Sequence, residues 1–163
     1  MHRVILAALV FLTACATAQP VAVFRPSEAP IWSAAAFQPG QIAGSWRQVA
    51  GFAARPGGCG EGAVAFQPVA GGLSVSGMLC LNGRLQAVEG LARVVGPGRL
   101  AVAGQEDWWV LWVDTGYRTL AIGTPSGRFG FVLDRGAIPP DRLTAAAEVF
   151  DFNGYVRGGL RAF

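Results

Sequence analysis

Few residues in this 163-residue chain could do chemistry, and the two best placed are Cys59 and Cys80. If Ala63–Pro68 and Leu73–Leu81 form a hairpin about Ala70-Gly71, paired positions sum to roughly 142. Cys80 then lies opposite position 62, three residues from Cys59, which sits in a loop with Gly57, Gly58 and Gly60 that can bend to meet it. A disulfide closing a loop of about 20 residues contributes roughly 3 kcal/mol in the chain-entropy model. The alternative, a redox or metal site, has no supporting ligand, because His2 is the only histidine and Cys15 the only other cysteine. No carboxylate pair has the spacing of a general acid and base. The residues therefore predict a protein that is not an enzyme and needs no cofactor or metal.

The N-terminus carries a different chemistry. Met1-His2-Arg3 is a short positive region, and Val4–Leu12 is an apolar run of nine residues. A bilayer span needs about 20 residues, so this reads as an export signal. Leu12-Thr13-Ala14-Cys15 resembles the bacterial lipobox. That resemblance implies cleavage before Cys15 by signal peptidase II, then acylation of its thiol and amine. The alternative is an ordinary secretory signal ending at Ala14 or Ala18, with Cys15 incidental. Ala16, where an Asp would retain the protein at the inner membrane, implies sorting to the outer membrane. Each acyl CH₂ buried adds about 0.8 kcal/mol to such an anchor. Export also places Cys59 and Cys80 in an oxidising compartment, where paired thiols form disulfides.

With residues 1–14 removed, no histidine remains. Residues 15–41 hold Pro20, Pro26, Pro30 and Pro39 and read as a lipidated cysteine and tether, with Ile31, Trp32 and Phe37 apolar enough for part of it to pack on the domain. All 13 basic residues are Arg, scattered without a stripe, against 10 acidic residues. A nucleic-acid footprint would need clustering, so that class of partner is excluded.

The whole chain holds 23 glycines and 10 prolines, most of them in the domain, residues 42–163, which reads as many short strands. Gly44–Phe52, Ala63–Pro68, Leu73–Leu81, Leu85–Val95, Arg99–Ala103, Asp107–Asp114, Tyr117–Thr124 and Arg128–Arg135 are strand-like, with turn residues between them. Asn82-Gly83 is the strongest hairpin signal. Pro139-Pro140-Asp141 opens a helix whose Leu143, Ala146, Ala147 and Phe150 form one apolar face, and Asn153-Gly154 ends it, with room for a short strand at Tyr155-Val156. The run Trp108–Val113 is apolar on both faces. A sheet with two apolar faces must cover both, as a closed barrel with a lined interior does. The expected fold is all-β: an eight-stranded antiparallel up-and-down barrel with one C-terminal helix packed outside.

These residues also resemble a family. Gly44-Ser45-Trp46 is similar to the Gly-x-Trp motif that opens the first strand of the lipocalins. Asp114-Thr115-Gly116-Tyr117-Arg118 resembles their second motif, and Leu133-Asp134-Arg135 their third. Behind a lipobox, the three motifs in order resemble the bacterial outer-membrane lipoprotein (apolipoprotein D-like) branch, over roughly Phe37 to Val156. The resemblance implies structural roles for Gly44, Trp46, Asp114, Tyr117 and Arg135, with Trp46 lying across the closed end of the barrel and Arg135 stacked on it. Such a cation–π contact is worth up to about 2 kcal/mol. Arg47 stands where relatives usually carry an aromatic, Asp134 where they often carry Ser, and a Cys59–Cys80 bridge is not a general feature of the family.

Within a barrel, apolar parity turns Leu73, Val75 and Leu79 inward, with Leu100, Val102, Leu120, Ile122, Phe129, Phe131 and Leu133. The sixth strand is ambiguous on pattern, and the resemblance favours Trp108, Val110 and Trp112 as interior, leaving Trp109, Leu111 and Val113 for the helix. The candidate ligand-binding residues are Phe66, Val75, Val102, Trp108, Val110, Trp112, Leu120, Ile122, Phe129 and Phe131. A lumen so lined would suit a fatty acid or lysophospholipid, with Arg84 or Arg47 available for a head group. Alternatively, five tryptophans and ten phenylalanines simply fill a tight barrel. The leading functional expectation is a lipid-anchored carrier of a small hydrophobic ligand at the outer membrane. The rival is a periplasmic barrel that inhibits secreted metalloproteases through an N-terminal arm, here Ala16–Gln41.

Overall fold

The computed structural model describes residues 21–163. The export signal over residues 1–14, Cys15 and the start of the tether lie outside the described residues. Eight strands form where the β-branched and aromatic runs fall: β1 (Gly44–Phe52), β2 (Gly62–Val69), β3 (Gly72–Leu81), β4 (Arg84–Gly96), β5 (Arg99–Val102), β6 (Trp108–Val113), β7 (Thr119–Gly123) and β8 (Gly130–Asp134). Each pairs antiparallel with the next, and β1 pairs with both β2 and β8, closing an up-and-down barrel. Turn chemistry sets the registers. Asn82 and Gly83 take left-handed backbone (φ 52° and 72°), the two-residue turn that matches strand twist, and Leu81 faces Arg84 across it. The β2–β3 hairpin pairs Ala63 with Met78, one position from the register expected. Cys59 and Cys80 are bridged, with Cα atoms 5.8 Å apart, tying the β1–β2 loop to the end of β3.

The helix α1 (Pro140–Phe152) starts with Pro at its first position and Asp141 in its first turn, where a fixed φ and a negative charge both suit a helix N-terminus. It lies outside the barrel against β6 and β7, burying Ala146 and Phe150. The core accordingly has two parts. One fills the barrel; the other, with Phe24, Phe52, Leu111, Ala121, Val132, Phe150 and Tyr155, lies between the sheet and the helix.

Two expectations are corrected. Trp112 does not face the interior. A bulge between Val110 and Trp112 sets Val110 opposite Ile122 but Trp112 opposite Ala121, so Leu111 is an extra residue and the parity inverts beyond it. Leu111 and Trp112 pack toward the helix, and Val113, expected outside, packs on the interior. Tyr155-Val156 is not a strand. The ninth strand, β9 (Leu160–Ala162), comes later and pairs with the upper half of β1, Phe52 opposite Leu160. The described part of the segment before β1 packs on the barrel, with Phe24, Arg25 and Phe37 buried.

Candidate functional site

The barrel interior is the candidate site, and its two ends are built differently. At the lower end the indole Nε1–H of Trp46 donates to the carbonyl of Ile42 at 2.8 Å, inside the 3-10 turn Pro39–Ile42 that precedes β1. The guanidinium of Arg135 lies 4.1 Å from the centre of the Trp46 ring. It also donates to the carbonyls of Tyr117 (3.1 Å), Gln41 (3.1 Å) and Ala43 (2.9 Å), so one side chain joins the β6–β7 turn to the segment entering β1. Gly44 leaves the space for it, since a Cβ there would stand 3.0 Å from Arg135 Nη1. Asp114 holds the β6–β7 turn by accepting from the backbone N–H groups of Arg118 and Thr119, each at 2.7 Å. The Tyr117 hydroxyl accepts from the Gln38 N–H, and its ring packs on Phe37, which plugs this end from outside the strands. Ala34 N–H donates to the Val110 carbonyl, covering the part of β6 that β5 leaves unpaired. Asp134, where relatives often carry Ser, is buried and accepts from Thr119 Oγ1 (2.6 Å), the Gly136 N–H (2.8 Å) and Arg142 (3.3 Å).

The other end holds groups that sequence reasoning missed. Arg25 is buried, its guanidinium donating to the carbonyls of Asn153, Pro125 and Ala29. From the opposite side Glu106 accepts from Ser126 N–H and Oγ, so the β7–β8 connection is held twice. The Gln48 side chain bridges to the backbone of Cys80, filling the gap where β2 has left β1. The Tyr155 hydroxyl accepts from Thr124 N–H at 2.7 Å and lies 2.9 Å from the Phe129 carbonyl. Burial pushes its pKa above the ordinary value of about 10. The folded chain therefore holds this proton more tightly than the unfolded chain does. The stabilisation is complete below about pH 10 and is lost as pH rises through the folded value. Urea midpoints measured upward from pH 10 are expected to fall, and to fall less steeply for Tyr155→Phe.

Between these ends Phe66, Val75, Val102, Trp108, Val110, Leu120, Ile122, Phe129 and Phe131 share one apolar cluster. Phe66, Trp108, Val110, Leu120, Ile122 and Phe131 have no exposed surface at all, so their side chains leave no water-sized space around them. Of the two states open to the sequence, an empty lumen and a filled one, the structure shows the filled one. Trp108 packs edge-on against Phe131 at 5.1 Å, and Phe131 stacks with Phe129 at 6.2 Å. The Trp108 Nε1–H has no hydrogen-bond partner among the described residues. Buried indoles normally find one. Arg47 does not serve this site. It lies on the outside, paired with Glu61, whose carboxyl it holds below the usual range through a hydrogen bond in an exposed setting. Arg84 stands at the upper rim beside Val21, Ala22 and Asn82.

Comparison with protein-family models and with characterised sequences returns no match. Solved structures do match. Insecticyanin from the tobacco hornworm Manduca sexta superposes with a TM-score of 0.63 at 12% identity, covering 86% of this chain and 87% of that one. Lobster apocrustacyanin A1 gives 0.61 at 14% identity over 88% and 91%. The siderocalin Ex-FABP, which functions through dual ligand specificities, gives 0.59 at 14% identity over 76% and 93%. The architecture is the lipocalin fold, a closed eight-stranded barrel with a single outer helix.

Proposed function

We propose that this chain is a lipocalin of the bacterial lipoprotein branch, anchored at the outer membrane through Cys15, that carries a small hydrophobic ligand of the fatty acid or lysophospholipid class and catalyses no reaction. The observation that carries this is Trp108, whose indole N–H is the unpartnered donor in an otherwise apolar interior. A buried donor left unmade costs about 1–3 kcal/mol, which a ligand with one acceptor oxygen and an apolar body recovers. Uptake requires the interior to repack. Phe129, next to the β7–β8 connection and the least buried ring of the cluster, is the side chain that yields first. The fold supports the same reading, since the siderocalin Ex-FABP shares it and functions through ligand specificities. The inhibitor alternative needs a free N-terminal arm, and burial of Phe24, Arg25 and Phe37 occupies that arm.

The test is a fluorescence titration of the mature chain with long-chain fatty acids and lysophospholipids. Saturable quenching at one ligand per chain is expected, and Trp108→Phe should weaken binding about tenfold, the worth of one hydrogen bond. Emission indifferent to every acyl ligand would refute the carrier function. A Cys15→Ala chain that still fractionates with the outer membrane would refute the anchor.

A further inference from the structure

The most exposed large apolar side chains among the described residues lie in segments that meet at one place in the fold, where the described chain begins. Val23, Trp32, Phe152 and Val156 are 58%, 61%, 76% and 62% exposed. Backbone and side-chain bonds draw their segments together around Asn153. Its Oδ1 accepts from the Trp32 N–H at 2.7 Å, and its carbonyl accepts from Arg25 at 3.0 Å. Phe152 precedes Asn153, and the Val156 N–H donates to the carbonyl of Phe24, the residue after Val23, at 2.8 Å. Val21, 63% exposed, leads from this patch toward the N-terminus.

We propose that this patch is a membrane-contacting surface that seats the barrel on the bilayer holding its anchor. The inference rests on lipidation of Cys15. Six residues from Cys15 to Val21 reach at most roughly 20 Å, so a bilayer that holds the acyl chains lies within reach of the patch. Trp32 is suited to the contact, because an indole places an apolar body in the interface and a polar edge in water. The charges beside the patch are of both signs: Arg157 is paired with Asp151 at 3.1 Å, while Glu28, Arg84 and Arg128 are exposed. On a zwitterionic bilayer the contact is carried by the apolar groups and is insensitive to salt. It places the upper rim of the barrel, with Asn82 bonded to Ala22 and Gly127 to Phe24, beside the lipid.

The experiment reconstitutes the lipidated mature chain into phosphatidylcholine vesicles with brominated acyl chains. Trp46 and Trp108 are buried and Trp109 and Trp112 half-buried, which leaves Trp32 as the most exposed indole and the main reporter. Quenching of its emission is expected at low and high salt, and Trp32→Phe, a change at an exposed position, should remove most of it. Flotation reads the anchor and quenching reads the patch. Chain that floats with Trp32 unquenched overturns the surface and leaves the anchor standing. If the chain is not lipidated, a Cys15→Ser chain at high lipid decides: Trp32 quenching upholds the surface without the anchor, and its absence overturns both. A dimer of the unlipidated chain that shields Trp32 would assign the patch to a second copy and also overturn the proposal.

Discussion

Trp46→Ala is expected to lower the unfolding free energy by about 4 kcal/mol, the cost of truncating a fully buried aromatic. Two losses add. The indole is almost wholly buried at the lower end of the barrel, so its removal opens a cavity in the interior cluster beside Ile42 and Val64. It also removes the face on which Arg135 rests, while that guanidinium keeps its bonds to Tyr117, Gln41 and Ala43. Domains of this size are stable by only about 5–15 kcal/mol, so the loss takes from about a quarter to most of that margin. Urea denaturation measures this. Trp46→Phe should recover much of the loss, and a Trp46→Ala change below about 1 kcal/mol would show that this end is not held as described.

Arg25→Met is expected to cost about 3 kcal/mol and to release the N-terminal segment from the rim. Methionine keeps an unbranched apolar stem but leaves the carbonyls of Pro125, Asn153 and Ala29 without their donor, and a hydrogen bond to a charged group is worth about 1.5–3 kcal/mol. Arg25→Lys should restore only part, because one ammonium cannot match a planar fork that reaches three carbonyls. Hydrogen exchange reports the local effect. Amides of Phe24 and Val156, whose bonds join the N-terminal segment to the β7–β8 connection and to the chain after α1, should lose protection while β2–β4 keep theirs. Unchanged protection at those two amides would contradict this role of Arg25.

The strand order was legible because turn residues punctuate it. Asn82-Gly83 joins β3 to β4 as expected, and Pro97-Gly98 and Pro125-Ser126-Gly127 stand between β4 and β5 and between β7 and β8. Interior parity was legible where strands alternate, as in Leu73, Val75 and Leu79, and illegible in β6. There Trp108–Val113 is apolar on both faces, so a bulge at Leu111 changes which side chain points inward without disturbing the pattern. Trp112 was misplaced for that reason. Arg25 carries no local signal, since two of its partners lie 100 and 128 residues away in sequence. Tyr155 and Gln48 are similar cases. Each is a single polar residue whose role depends on a gap that only the closed barrel creates. The state of the lumen was also beyond pattern, because an apolar interior reads the same whether it is packed or hollow.

The most direct test of ligand carriage is native mass spectrometry of the mature chain recovered from the membrane of cells producing it, before and after delipidation and re-exposure to fatty acid and lysophospholipid. One acyl molecule per chain, removable and restored on re-exposure, is the predicted result, with weaker retention in Trp108→Phe. A chain that is ligand-free as isolated and stays so under saturating acyl compounds would show that the packed interior is a core and nothing more.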